Sequence, residues 1–237
     1  MVQPAYHILG SFSKFFEFSY ILRRELKAAM YVLHLLSLSG LVTSMQLKCF
    51  SMAIDIGSNC SIGDMKRLLK KHEIIPDLLK DVPKQCLDME ISGKTVILGD
   101  RVDYFDTVVK PNKIEWEHED GGFYSLVMTG LDVPTLEVPN SRESQNWVVG
   151  NIPGMNITAG DTLFRFQPPG VEYGEGTHRI AILIFQQRLP IKFTEMDLGI
   201  IRRDSVNRAY FSTEGFSEKY ELGPPLAINF YEFEMKM

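Results

Sequence analysis

The pair His178-Arg179 follows a glycine-rich stretch that runs from Pro168 to Gly176, and it precedes the strongest apolar strand, Ile180–Phe185. A histidine at such a loop–strand junction can hydrogen-bond an anion. It can also act as a general base when a carboxylate orients it and a nucleophile lies within reach. The plainer role for the same residue is structural. Other candidate chemistry is thinner. Gly93-Lys94-Thr95 is not a phosphate loop, because Asp88 stands where the first glycine is needed, so the segment reads as a hairpin turn. Trp116-Glu117-His118-Glu119-Asp120 gathers carboxylates around a histidine, but a metal would need ligands from elsewhere and a solvated turn explains the cluster. No Gly-x-Ser-x-Gly elbow is present. The three cysteines, Cys49, Cys60 and Cys86, include no CxxC pair. They are too few and too odd in number for a disulfide framework or a structural zinc site. No cofactor and no metal are expected.

These residues need a scaffold, and the chain supplies one that is mainly β. Of its 237 residues, 45% are hydrophobic and 23% charged, which excludes wholesale disorder. The net charge of -5 argues against a general nucleic-acid binder, which needs a basic field. Residues 64–80 read as helix, with Asp64 able to cap the start, a second short turn opening at Pro76 and a stop at Pro83. Beyond that point turn signals recur every eight to twelve residues, among them Ser92-Gly93, Asp120-Gly121-Gly122, Pro153-Gly154 and Pro168-Pro169-Gly170. Short runs rich in Val, Ile, Tyr and Phe lie between them. Phe123–Met128, Trp147–Val149 and Ile180–Phe185 are continuous, as strands buried on both faces would be. A helix is expected within 200–220 and a closing strand over Leu226–Phe233.

The first part of the chain differs. Residues 1–44 are apolar, aromatic and poor in acids. A small basic cluster at Arg23, Arg24 and Lys27 precedes a fifteen-residue apolar run, Ala28–Val42. That run falls short of the roughly 20 residues that span a bilayer. Its layout, over 23–44, is that of a secretory signal, although the basic cluster lies far from the N-terminus. The expectation is a cytoplasmic protein with an extension over 1–60, the alternative being secretion through the 23–44 segment. Two glycosylation-type triplets, Asn59-Cys60-Ser61 and Asn156-Ile157-Thr158, do not decide between these; eight asparagines give about one such triplet by chance.

The stretch Tyr124–Gln187 resembles the phosphatidylethanolamine-binding protein family, which includes the Raf kinase inhibitor proteins. The family's first signature, Tyr-Thr-Leu-Val-x-Thr-Asp-Pro-Asp-Ala-Pro, stands here as Tyr124-Ser125-Leu126-Val127-Met128-Thr129-Gly130-Leu131-Asp132-Val133-Pro134. A middle block, Arg-Glu-Trp-His-His-x-Leu-Val-x-Asn, stands as Arg142-Glu143-Ser144-Gln145-Asn146-Trp147-Val148-Val149-Gly150-Asn151. The second signature stands as Pro168-Pro169 and then Gly176-Thr177-His178-Arg179-Ile180. His72–Asp77 is similar to the entry helix of animal members, and Lys219–Gly223 to a late strand. The resemblance covers roughly 64–234.

It implies an antiparallel β-sandwich, a large central sheet packed on a smaller one with a few peripheral helices, over a domain 61–237. It implies a small pocket that binds an anion or a phospholipid headgroup, lined here by Asp132, Pro134, Asn146, Pro168, His178 and Arg179. The polar set is depleted: Gly130 replaces one aspartate, Asn146 one histidine and Ile180 the tyrosine. The resemblance therefore implies a non-catalytic binding protein with a modified pocket, favouring a phospholipid headgroup or small amphipathic ligand. Its precedents add a kinase or protease as a protein partner and peripheral contact with a membrane. The alternative is a hydrolase using His178 as base and Asp132 as its orienter, with Ser144 as the only new hydroxyl in the matching region.

Overall fold

The structure, a computed structural model, describes residues 60–170, 172–194 and 208–236. The expected extension over 1–60 and the 23–44 segment lie outside these residues, apart from Cys60.

Helix α1 (Ile62–Lys71) starts two residues before Asp64. Ser61 is its cap, accepting from the Asp64 N–H at 3.1 Å, while Asp64 occupies the first turn. Lys70 and Lys71 lie in the last turn, where cations complement the helix dipole. Met65 and Leu69 are buried, four positions apart on one face. The short α2 (Ile74–Asp77) carries Pro76 in its interior. Cys60, just before α1, is bonded to Cys86, so the domain holds a single bridge where none was expected. Two further α-helices are described, α3 (Tyr104–Thr107) and α4 (Thr213–Lys219). The latter falls inside the expected 200–220 window, of which 200–207 lie outside the described residues.

Ten strands are described: β1 (Gln85–Cys86), β2 (Asp88–Ile91), β3 (Lys94–Val96), β4 (Asp100–Arg101), β5 (Lys113–Glu115), β6 (Phe123–Gly130), β7 (Ser144–Pro153), β8 (Asp161–Phe164), β9 (Gly176–Gln187) and β10 (Ala227–Met235). The large sheet runs β1-β10-β9-β6-β7-β8, with β4 also on β10. The small one is β3-β2-β5. Pairing is antiparallel except where the two-residue β1 and β4 lie parallel to β10, so the large sheet is mixed at that edge.

The side-chain alternation of a strand sorts the long strands between two cores. Tyr124, Leu126 and Met128 of β6, with Ile180, Ile182 and Ile184 of β9, face the small sheet, where Leu87, Met89, Ile114 and Trp116 meet them. Val127, Ala181, Leu183, Phe185, Ile228 and Phe230 face the helices, against Met65, Leu69, Ile74 and Phe216. Both faces of β6 and β9 are thus covered, which is why their sequences are continuous apolar runs. Leu126, Val127, Val148, Ile182 and Leu183, the expected interior, are all 0% exposed. Asn229 ties the layers together by donating to the Leu87 and Val96 carbonyls at 2.8 and 2.9 Å.

Candidate functional site

The signature residues meet at one end of the large sheet, where β6 and β7 are joined and β9 begins. Gly130 closes β6 and pairs with Ser144 of β7 and Ile180 of β9. The register between β6 and β7 shifts after Met128, so that Trp147 faces Met128 and Gln145 faces Thr129. Asn146 is the extra residue, the position at which a bulge re-aims a side chain. Residues 165–170 and 172–175 fold over this end. Gln167 donates its N–H to the Asn146 carbonyl at 2.8 Å, and Gly174 donates to the Pro134 carbonyl at 2.8 Å. Arg208 braces the same corner by donating to the carbonyls of Gln145, Asn146 and Arg165.

The 172–175 segment delivers Tyr173. Its ring is 1% exposed and stands edge-on to His178, with centroids 5.2 Å apart, and to Phe233 at 5.7 Å. Its hydroxyl lies 3.4 Å from Asn146 Oδ1. A Cβ built on Gly130 would lie 1.8 Å from that hydroxyl and 2.8 Å from Cζ. The tyrosine therefore occupies the space that a side chain at position 130 would need. Burial pushes its phenol pKa well above the ordinary value, with the hydrogen-bonding contacts to Asn146 and Ser144 acting against the shift.

His178 is 0% exposed and stacks on Phe233 at 5.1 Å. Its Nδ1 lies 2.8 Å from the Asp132 carbonyl and its Nε2 2.8 Å from the Gly174 carbonyl. A neutral imidazole can donate to one of these acceptors and an imidazolium to both. Both nitrogens are thus turned to the backbone. Asp132 and Arg179 form a charge network behind the ring. Asp132 Oδ2 accepts from the Arg179 backbone N–H at 2.9 Å and from Nε at 2.8 Å, and Oδ1 accepts from an Arg179 terminal nitrogen at 2.6 Å. Arg179 also donates to Asp77 at 2.8 Å and to the His72 carbonyl at 2.7 Å. Arg142 joins at 3.1 Å from Asp77 and 3.4 Å from Asp132. Burial works against the Arg179 charge, but Asp132 and then Asp77 outweigh it and hold its pKa above the ordinary value.

Of the sequence-read site residues, Asn146 and His178 come together around Tyr173. Asp132 touches His178 through its carbonyl, while its carboxylate is held by Arg179. Pro134 and Pro168 are half-buried on the segments that enclose the ring. Ser144 is buried, beside Tyr173 rather than on a nitrogen of His178. Sequence reasoning missed Tyr173, Asp77 and Arg142 as partners. The signal for Tyr173 was Gly130 itself, since a glycine in place of a carboxylate leaves a side-chain-sized space to be filled from a neighbouring loop. Among the described residues no group of three or more His, Cys, Asp or Glu could hold a metal ion.

A second recess, of about 560 Å³, lies between residues 76–83 and the α4 region. Leu79, Phe185 and Pro224 give it apolar walls, and Asp81, Glu218 and Glu221 line its exposed side. Asp77 lines the recess as well, so the Arg179 network backs onto it.

No family model matches the chain. It is 28% identical over 170 residues to the candidate odorant-binding protein A5 of Drosophila melanogaster, covering 71% of this chain and 80% of that protein. Among solved structures, a phosphatidylethanolamine-binding protein from Plasmodium falciparum matches with a TM-score of 0.54 at 26% identity, over 71% of this chain and 96% of that one. The carboxypeptidase Y inhibitor, solved in complex with its cognate proteinase, shares the fold with a TM-score of 0.61 at 21% identity, over 78% and 100%. With two packed sheets, the signature motifs in order at one sheet end and these likenesses, the chain has the fold of the phosphatidylethanolamine-binding proteins and is similar in sequence to that family.

Proposed function

We propose that the chain is a non-catalytic binding protein that has given up bare-phosphate binding at its signature pocket and takes an amphipathic ligand instead. The observation that carries this reading is the Tyr173 hydroxyl, which stands where a side chain at Gly130 would be. A small anion needs converging donors in a desolvated site. Here the Arg179 guanidinium is engaged by two carboxylates, both nitrogens of His178 face carbonyls, and Asn146 spends its amide on the Gln167 carbonyl at 3.1 Å. The same contacts speak against the hydrolase alternative, because His178 has no nitrogen turned to a nucleophile. The recess beside α2 has the volume of a small-ligand site, and its apolar walls with carboxylates at the exposed side suit a ligand with an apolar body and a polar or cationic head. The name of the Drosophila relative, a candidate odorant-binding protein, fits ligand carriage rather than chemistry.

Titration calorimetry with phosphoethanolamine and with octylamine tests the reading. The unmodified protein is expected to bind octylamine and to give no heat with phosphoethanolamine. Glu218→Gln with Glu221→Gln should weaken octylamine binding. Binding of phosphoethanolamine in the micromolar range by the unmodified protein would overturn the proposal.

A further inference from the structure

The two glycosylation-type triplets differ in what the fold asks of them. In Asn59-Cys60-Ser61 the middle residue is half of the Cys60–Cys86 bridge. The Ser61 hydroxyl is the α1 cap, accepting from the Asp64 N–H and donating to the Asp64 carboxylate at 2.8 Å. In Asn156-Ile157-Thr158 the acceptor and the hydroxyl residue are both exposed, on the short 3-10 turn (Ile157–Ala159) that joins β7 to β8. The Thr158 hydroxyl donates to Asn156 Oδ1 at 2.7 Å. Among the described residues nothing accepts from Asn156 Nδ2, the atom that glycosylation modifies. The turn is at the far end of β7 from the signature residues. The ten residues Ser144–Pro153 span roughly 30 Å at the rise of an extended strand, so a bulky group on Asn156 would leave the signature end clear.

An independent observation points to the compartment in which such a modification is made. Disulfides persist in oxidising compartments and are rare in the cytosol, and the domain carries one that fastens the start of α1 to β1. The basic-then-apolar order of residues 23–44 has the layout of an export signal.

We propose that the chain is exported through the secretory route and carries a single N-linked glycan, on Asn156. In that step Asn156 Nδ2 bonds to the anomeric carbon of an oligosaccharide carried on a polyprenyl diphosphate. The bond from that carbon to the diphosphate oxygen breaks, the lipid diphosphate leaves with the electron pair, and one amide proton is lost.

The test is expression of the full chain in a cultured animal cell line, with cell fractions and medium collected separately. Treatment with an amide-cleaving glycosidase in ¹⁸O-water is followed by peptide mass spectrometry. The expected result is protein in the medium, one glycan, and conversion of Asn156 to labelled aspartate. Asn156→Gln and Thr158→Ala should each abolish the glycan. Thr158→Ser should keep it, which separates loss of the acceptor motif from damage to the turn. Asn59→Gln should change nothing. Protein confined to the cytosol, exported protein without a glycan, or a glycan that survives Asn156→Gln would each overturn the proposal.

Discussion

Adding one methyl group at Gly130 tests how firmly Tyr173 is seated. Gly130 is in ordinary strand geometry and is absent from the positive-φ glycines, so alanine meets no backbone penalty. On unfolded-state entropy alone, Gly130→Ala should stabilise by about 0.4–1 kcal/mol. The new Cβ, however, would lie 1.8 Å from the Tyr173 hydroxyl. That hydroxyl cannot swing away freely, because the ring is packed against His178 and Phe233. Overpacking of this kind costs about 1–3 kcal/mol, so the net effect is destabilisation of about that size. Tyr173→Ala alone should cost about 3–5 kcal/mol, as other large aromatic truncations do. In that background the clash is gone, and Gly130→Ala should become neutral or stabilising. The cycle should show a coupling of about 2 kcal/mol. Urea unfolding followed by tryptophan fluorescence and far-ultraviolet dichroism measures each corner, with an unchanged m-value required for comparison. A stabilising Gly130→Ala in the presence of Tyr173, or the same cost with and without the ring, would refute the filled-pocket reading.

Removing one partner of the Asp132–Arg179 pair, as in Asp132→Asn or Arg179→Met, should cost about 3–5 kcal/mol, because the other charge is left buried; chemical denaturation of the single and double variants checks this, the double being the less damaged relative to the sum. Glu143 has its pKa raised above the ordinary 4.5 by burial, against hydrogen bonds from Thr213. Its contribution to stability is therefore complete below about pH 4.5 and is lost as pH rises through the folded value, so Glu143→Gln should flatten that fall in a Tm-against-pH series. The Tyr231 hydroxyl is buried without a partner among the described residues, and Tyr231→Phe should be neutral or stabilising by up to about 1 kcal/mol in a thermal melt. Cys60→Ala should lose about 2–4 kcal/mol, since the bridge closes 26 residues of chain, and reduction of the unmodified protein should match it.

The two-sided burial of β6 and β9 was legible in Phe123–Met128 and Ile180–Phe185, because period and apolar content are local properties. The motif order likewise placed Gly130, Asn146 and His178 at one sheet end. The contents of the pocket were not legible. Whether His178 points to a ligand or to the carbonyls of Asp132 and Gly174 depends on where a loop is laid, and that follows from bonds such as Gly174 to Pro134 across forty positions of sequence. The Cys60–Cys86 pair was invisible for the same reason, since counting an odd number of cysteines says nothing about two that a fold brings within 6.2 Å. The network of Asp77, Asp132, Arg142 and Arg179 joins three separate segments, and no spacing rule relates them.

The place of β10 in the large sheet has a consequence for synthesis on the ribosome. It lies between β9 on one side and β1 and β4 on the other, and it supplies the partner for nine successive residues of β9. Until residues 227–235 have left the exit tunnel, β9 presents an unpaired apolar edge, and β1 and β4 have no neighbour in this sheet. Non-local pairing of this kind has to wait for its last member. The nascent domain should thus remain open until β10 emerges, with an edge of the sort that recruits chaperones or seeds misassembly. Closure then comes in one step, when a single strand completes both sides of the gap.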